Sequence, residues 1–379
     1  MVLLWLMCDC VFSSGYTVDQ VHLSQQRGAK MKNYHSLESY AACLLGGALG
    51  DALGNPVEFQ DIRAIRQQYG EGGIDALVDP DFTDDTQMTL FTAEALIRFA
   101  LQADQRDLHL QTLIYQAYLR WLHTQDYPIP PSLRTGFLLQ QKGLFQQKAP
   151  GQTCLNALHS GKMGSRDYAL NESKGCGGVM RVAPVGLYFW QDPEKAFRIG
   201  ADSAAITHGH VSGYLSAGYY AALIALLVDG EPLEPAAIKV LDILKTYPGH
   251  DETLFHVDRA LEMQAAGLEP TPERLHKMGV GWPGAVGEEA LAMSLFCALS
   301  YPDDFRKSVR VAVNHSGDSD STGTITGQIV GLLNGLQALP EDWLKRLKMA
   351  EVVQTLAEDL FVVSGSLTTA PPGLLQRHL

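Results

Sequence analysis

The chain has 379 residues, of which 46% are hydrophobic and 19% charged, values that are ordinary for a globular protein. Its 29 lysines and arginines against 42 aspartates and glutamates give a net charge of −13, and no basic run occurs, which disfavours a nucleic-acid-binding role. The six cysteines form no C-x-x-C pair and no disulfide framework, so we expect a reducing, cytoplasmic location.

Residues 1–32 precede the first helical pattern. Met1–Phe12 is apolar, but no lysine or arginine precedes it, so the positive start of a signal peptide is missing. Residues 13–32 are polar and aperiodic. We expect residues 1–32 to be a flexible extension or the product of a start codon assigned too far upstream, with a membrane anchor or a partner-binding tail as alternatives.

Leu37–Leu53 repeats apolar residues at helical spacing and also carries a glycine stripe. The stripe consists of Gly46, Gly50 and Gly54. Because a glycine costs ~1 kcal/mol in a helix interior, the stripe predicts close approach of another backbone. Pro56 ends the helix and leaves Glu58 on an irregular loop beside Asp51.

A second helix is predicted to begin at Thr83-Asp84-Asp85 and to run to about Leu101. Thr83 suits the N-cap, and acids in the first turn complement the helix dipole, so capping alone would explain this cluster. An amphipathic helix follows at Leu108–Thr124. Ser132–Lys148 is interpreted as a glutamine-rich helix or helix pair.

The glycine-rich segment Gly175–Gly178 precedes an apolar helix, a position in which backbone N–H groups can face an anion. Arg181 could add a positive charge there. The segment matches neither of the common phosphate-binding motifs, and a tight turn is the more frequent meaning of such a sequence. Thr207 and His208 lie in a loop between two helices, where a histidine is more often a core group than a ligand.

Val211–Val228 has 18 residues without a charge, which is long enough to span a membrane. No basic flanks accompany it and its small residues fit a buried interface, so we favour a core helix. Further helices are predicted at Glu234–Lys245, Thr253–Ala266, Gly287–Leu299, Pro302–Val313, Thr322–Gln337 and Asp342–Phe361. Strand-like alternation is almost absent. We expect an all-α, single-domain helical bundle over residues 33–363 and a fraying tail over 364–379.

The chain's most informative stretch is Asn314–Gly323, in which Asp318 and Asp320 stand among serine and threonine hydroxyls. Hard cations such as Mg²⁺, Mn²⁺ and Ca²⁺ bind oxygen ligands of this kind. An EF-hand is excluded because its twelfth position holds Ile329, not glutamate. A D-x-D-x-T phosphatase motif would stand too late in the chain, and helix capping remains the simplest alternative.

The chemistry of Thr83-Asp84-Asp85 mirrors that of Asp318–Ser321, since each cluster combines carboxylates with a hydroxyl and opens an apolar helix. Two such clusters facing each other would form an oxygen cage for a pair of hard cations ~4 Å apart. The pairing makes a metal site the better interpretation of both.

Five of these segments, in this order, resemble the motif set of the ADP-ribosylglycohydrolase family. They are Gly50–Gly54 with Glu58, Thr83–Thr86, Gly175–Arg181, Thr207-His208 and Gly317–Gly323. The opening motif and its loop look most similar to the branch of dinitrogenase-reductase-activating glycohydrolases and ADP-ribosylarginine hydrolases. The resemblance spans about Leu37–Gln337.

The resemblance implies an all-α orthogonal bundle with two Mg²⁺ or Mn²⁺ ions that removes ADP-ribose from a protein side chain, with arginine as the expected linkage. The implied metal ligands are Thr83, Asp84, Asp85, Asp318, Asp320 and Ser321. The implied substrate-binding residues are Gly175, Cys176, Gly177, Gly178, Arg181 and His208, and the family more often has asparagine at the position of Cys176. Glu58 would lie on a flap over the site, and Glu58, Asp84 or Asp85 would assist attack at C1″, with Asp320 among the catalytic residues.

Two functions of other classes stay open at this point. The chain could be a non-catalytic relative that binds a partner. It could also be an immunity protein that neutralises an ADP-ribosylating toxin, with an ADP-ribosyltransferase as its partner and residues 1–32 as the plug. The intact acidic clusters favour the hydrolase.

Overall fold

The computed structural model describes residues 33–102, 109–365 and 371–379, so the expectations for residues 1–32 lie outside it. Its helices in chain order are α1 (Leu37–Gly54), α2 (Ile62–Tyr69), α3 (Asp84–Leu101), α4 (Leu110–Thr124), α5 (Gln152–His159), α6 (Ala183–Tyr188), α7 (Pro193–Ala205), α8 (Val211–Val228), α9 (Leu233–Leu244), α10 (Asp251–Ala265), α11 (Pro272–His276), α12 (Gly287–Ser300), α13 (Phe305–Val313), α14 (Ser319–Asn334), α15 (Glu341–Leu344), α16 (Ala350–Ser364) and α17 (Pro372–His378). Among the described residues there is no β-strand, which confirms the all-α prediction.

The central pair of the fold is α1 against α14, which pack antiparallel with their backbones in contact. A Cβ placed on Gly50 would lie 2.0 Å from the carbonyl oxygen of Gly323, and one on Gly46 would lie 2.4 Å from that of Gly327. No side chain larger than hydrogen fits at these crossings. The predicted close approach is therefore present, and it sets the end of α1 beside the start of α14.

Helix α8 is the other core element. Among the described residues, α8 alone is long and apolar enough to span a membrane, with a mean hydropathy of 1.6. However, 83% of the helix is buried inside the protein. It packs against α7, α9 and α12, and Tyr220 donates a hydrogen bond from its hydroxyl to the side-chain oxygen of Gln328 in α14. This environment agrees with the interpretation of α8 as a core helix.

Two predicted helices differ from the observed structure. Ser132–Lys148 forms short 3₁₀ turns, because Pro131 and the positive φ of Gly136 (108°) interrupt an α-helix. Asp342–Phe361 is two helices, α15 and α16, separated at Met349, whose φ of 58° is left-handed. Helices α2 and α5 were not predicted, since each is only eight residues long.

The described part of the C-terminal segment, 371–379, contains the docked helix α17 instead of a fraying end. His378 is fully buried, with its Nε2 2.8 Å from the Asp359 carboxylate. Arg98 of α3 donates a hydrogen bond to the carbonyl of His378. A stretch of seven residues is too short to show helical periodicity, and the side chains that hold it, Asp359 and Arg98, belong to α16 and α3.

Candidate active site and metal centre

The two acidic clusters open neighbouring helices at one end of the α1–α14 pair. Thr83 is the N-cap of α3, and its side chain accepts a hydrogen bond from the N–H of Asp85. Asp318 is the N-cap of α14 and accepts from the N–H of Ser321. A residue that caps a helix can still bind a metal, because the capping oxygens of Thr83 and Asp318 keep further lone pairs that can face a cavity.

Asp51, in the last turns of α1, fixes the start of α3. Its two carboxylate oxygens accept from the N–H of Thr83 at 2.8 Å, from the N–H of Thr86 at 3.0 Å and from the hydroxyl of Thr86 at 2.6 Å. Asp51 is fully buried. The sequence placed it near Glu58 without giving it this role, since only the fold brings α1 and α3 together.

Glu58 lies on the turn that follows α1, where it meets the acidic loop of α14. Single carboxylate oxygens of Glu58, Asp318 and Asp320 all lie within 4.8 Å of one another. Asp84 and Asp85 line the same cavity, whose volume is about 320 Å³. The Oδ2 atom of Asp85 is buried without a hydrogen-bond partner.

Burial raises the pKa values of these carboxyls, and mutual repulsion adds to the shift for Glu58, Asp84, Asp85 and Asp320. Burial, followed by the charges of Asp318, Asp84 and Asp51, raises the pKa of Glu58 to about 8. Burial likewise raises the pKa of Asp84 to about 8, even though the N–H of Gly151 donates to its carboxylate. The pKa values of Asp85, Asp318 and Asp320 are also raised, with burial as the largest cause.

This donor set fits hard divalent cations. The cavity lining contains no lysine or arginine among the described residues, so no side chain there can neutralise the carboxylates. The unpartnered oxygen of Asp85 points to a missing positive group, and oxygen-only ligands match Mg²⁺ or Mn²⁺. A cation in the cluster would remove the repulsion that raises the pKa values.

The glycine-rich loop forms the opposite wall. The thiol of Cys176 donates to Oδ2 of Asp318 at 3.0 Å, which ties this wall to the acidic loop. A Cβ on Gly177 would lie 3.0 Å from the His208 ring. Gly175, Cys176 and Gly177 line the cavity, whereas Gly178 packs against Gly213 and Ala204 behind it.

His208 lines the cavity and is oriented from behind by Arg181. The guanidinium donates to the Thr207 hydroxyl at 2.7 Å, and this hydroxyl lies 2.8 Å from Nδ1 of His208. The Thr207 hydroxyl thus links the Arg181 guanidinium to the His208 ring and holds the ring in its orientation. Burial lowers the pKa of His208 to about 3, with the Arg181 charge as a smaller cause, so the ring is neutral.

Arg181 and Thr83 do not line the cavity. The Arg181 side chain is fully buried, lies over the ring of Tyr118 at 4.1 Å and also donates to the Ser203 carbonyl. It therefore supports His208 from behind the cavity, and direct contact of Arg181 with a substrate stays a prediction. The Thr83 hydroxyl caps α3, and its role as a metal ligand also stays a prediction.

The sequence reasoning missed the start of α5. Pro150, Gly151, Gln152, Thr153 and Cys154 line the cavity, and the first backbone N–H groups of α5 lack partners within that helix. Such a helix N-terminus favours an anion. The Pro-Gly pair directly before Gln152 was the available signal for a helix start.

The comparisons with known proteins agree with this geometry. The family model for ADP-ribosylglycohydrolase matches residues 33–368. The chain is 25% identical to the ADP-ribosylarginine hydrolase Tri1 of Serratia proteamaculans, over 87% of this chain and 80% of that protein. It is 25% identical to the human ADP-ribosylhydrolase ARH3, over 86% of this chain and 93% of that protein.

Two further comparisons extend this pattern. The ADP-ribosyl-[dinitrogen reductase] glycohydrolase of Rhodospirillum rubrum is 24% identical, over 80% of this chain and 88% of that protein. A solved structure titled ADP-ribosylglycohydrolase-related protein complex matches with a TM-score of 0.56 and 26% identity, covering 87% of this chain and 99% of that one. The chain therefore belongs to the ADP-ribosylglycohydrolase family and is an enzyme of that class.

Proposed function

We propose that the protein hydrolyses the N-glycosidic bond between ADP-ribose and an arginine side chain of a modified protein, with two Mg²⁺ or Mn²⁺ ions. The observation that carries this proposal is the meeting of five carboxylates from three segments around one cavity whose described lining holds no lysine or arginine. The arginine linkage rests on the Tri1 relatives, whose name states that activity.

The cations would be held by Asp84 and Asp85 from α3 and by Asp318, Asp320 and Ser321 from α14. When bound, they supply a positive field that stabilises negative charge developing on oxygen at the reacting end of the substrate. Asp51 has a different role, because its carboxylate is already engaged with the backbone of α3. It holds the Asp84–Asp85 turn in place.

Glu58 is our choice for the general base. It is the carboxylate of the cluster that is partly exposed, whereas Asp84 and Asp85 are 5% and 3% exposed. A partly exposed carboxylate at the edge of the cavity can reach an incoming water molecule. The water oxygen bonds to C1″ while the bond to the arginine nitrogen breaks, and the proton taken by Glu58 returns to the leaving guanidine.

The remainder of ADP-ribose would occupy the wall formed by Gly175–Gly177, His208 and the start of α5. The neutral imidazole would hydrogen-bond to the ribose or the phosphates, and the α5 N–H groups favour the diphosphate. The cavity volume of about 320 Å³ falls within the range of small-molecule sites, about 300–1,000 Å³.

We also propose a cytoplasmic location, which the free thiols of Cys43, Cys154, Cys176 and Cys297 support.

The experiment that tests this function is release of ADP-ribose from an arginine-ADP-ribosylated protein, with Mg²⁺, with Mn²⁺ and with EDTA. We expect release that requires the metal and is abolished in Asp320→Ala. A serine-linked substrate run in parallel decides the linkage. If the metal-bound protein bound the modified substrate but released no ADP-ribose, the hydrolase activity would be refuted and the partner-binding alternative would remain. The similar proteins named above give no support for an ADP-ribosyltransferase as a partner.

A further inference from the structure

A loop at the edge of the cavity, residues 279–285, is anchored by hydrogen bonds to one buried carboxylate. Glu289, in the first turn of α12 and 5% exposed, accepts from the N–H of Val280 at 3.0 Å and from that of Gly284 at 3.2 Å. Gly281 and Gly284 have φ values of 72° and 85°, which fit the tight path of the loop. Both ends of the loop are thus fixed to the same side chain.

The loop also joins two walls of the active site. The carbonyl of Pro283 accepts from the N–H of Asp318 at 3.0 Å, and the carbonyl of Ala285 accepts from the N–H of Cys176 at 3.1 Å. Side chains that this loop presents outward therefore have a fixed position relative to the carboxylates and the glycine-rich wall.

What the loop presents outward is apolar. Val280 is 88% exposed and Trp282 is 48% exposed, and the Trp282 ring meets the ring of Phe59 edge to face at 5.9 Å. Phe59 is 42% exposed, lines the cavity and follows Glu58 in the chain. We name Phe59, Val280 and Trp282 the apolar rim. Isolated exposed apolar residues are common, but an aromatic pair on fixed backbone at the mouth of a cavity is typical of a binding surface.

We propose that the apolar rim binds the polypeptide of the modified protein substrate, next to the ADP-ribosylated side chain. This inference rests on the proposed function. If the sugar and its linkage enter the cavity, the substrate's backbone and the neighbouring side chains lie over the mouth. Because Phe59 belongs to both the cavity and the rim, the covered surface continues directly from the cavity. The apolar character of the rim is complementary to an apolar side chain next to the modified residue of the substrate.

The test compares two substrates with the same linkage: an arginine-ADP-ribosylated protein and free ADP-ribosyl-arginine, which has no polypeptide. The variants are Trp282→Ala and Val280→Asp, and neither residue lines the cavity. Because Val280 is 88% exposed, we expect its replacement to leave folding unaffected. Ile238→Ala, on α9 and 50% exposed, is the matched control for loss of a surface apolar group. Each protein is assayed for KM and kcat in Mg²⁺.

We expect both rim variants to lower kcat/KM for the protein substrate on the order of 10-fold, through KM, and to leave free ADP-ribosyl-arginine within about twofold of wild type. The control should match wild type on both substrates. Equal losses on both substrates, or no loss on either, would overturn the assignment of the rim. A wild-type enzyme that cleaves neither substrate would instead overturn the arginine linkage itself and the rim's role with it, and this result is seen before any variant is made.

Discussion

The contact between α1 and α14 gives the sharpest test of how the fold places the site, through the substitution Gly50→Ala. The new Cβ would lie 2.0 Å from the carbonyl oxygen of Gly323, and ordinary contact begins near 3.4 Å, so the two backbones must separate locally by about 1.4 Å. No side chain can rotate away to absorb this. Overpacking of a core typically costs about 1–3 kcal/mol, and we place this substitution at the upper end because backbone must move.

Alanine also has a higher helix propensity than glycine, which offsets about 1 kcal/mol of that cost. We therefore expect a net loss of about 2 kcal/mol in the free energy of unfolding, measured by urea denaturation followed by far-UV circular dichroism. The displacement lies between Asp51 and the acidic loop of α14. Since a 1 Å misplacement of catalytic groups can cost about 10²-fold, we expect ADP-ribose release to fall by that order.

Gly373→Ala is the matched control, because Gly373 is also helical but a Cβ there meets no atom within 4 Å. It should leave activity unchanged and keep or slightly raise stability. A Gly50→Ala protein with wild-type stability and activity would refute the argument that backbone contact between α1 and α14 positions the carboxylates.

Three further predictions follow from the site and the C-terminal helix. Mg²⁺ at a hundred times its Kd should stabilise the protein by about 2.7 kcal/mol for each ion bound in thermal unfolding, and an equal gain in Asp320→Asn would contradict the ligand assignment. Thr207→Val should raise KM for the substrate by about 10-fold with kcat little changed, since His208 loses its orienting hydroxyl; unchanged kinetics would refute the link from Arg181 to His208. Burial alone would lower the pKa of His378, but the hydrogen bond to Asp359 and the nearby negative charges of Glu94 and Asp359 outweigh it, so the pKa is raised. The stability that protonated His378 contributes is therefore complete below pH 6.5, the pKa of an unperturbed histidine, and is lost as pH rises through the raised pKa. The difference in the free energy of unfolding between wild type and His378→Ala, measured by urea denaturation, should shrink from pH 5.5 to pH 8.5. A difference that grows with pH would refute the sign of this effect.

Much of the helical framework could be predicted from sequence because it depends on local periodicity. The positions of α1, α3, α4, α8 and α10 follow directly from apolar spacing and from caps such as Thr83. Predictions failed where backbone geometry is decided by single residues or by distant contacts. Gly136 and Met349 adopt positive φ values that no hydrophobic pattern reveals, and α17 is held by Asp359 and Arg98 from elsewhere in the chain.

The sequence by itself determined the chemistry of the site. Thr83-Asp84-Asp85 and Asp318–Ser321 carry carboxylates and hydroxyls of the kind that hard cations bind, and the stripe at Gly46 and Gly50 predicted that two backbones would touch. These are properties of residue types at short spacing, so they can be recognised without coordinates.

Only the tertiary structure decided which groups share the cavity and which stand behind it. It shows that Arg181 lies behind His208, that Asp51 holds the start of α3, that the start of α5 lines the cavity, and that the loop with Trp282 lies at the cavity's edge. These roles depend on contacts between segments far apart in the chain, where the packing of α1 on α14 and a few buried hydrogen bonds fix distances that sequence spacing leaves free.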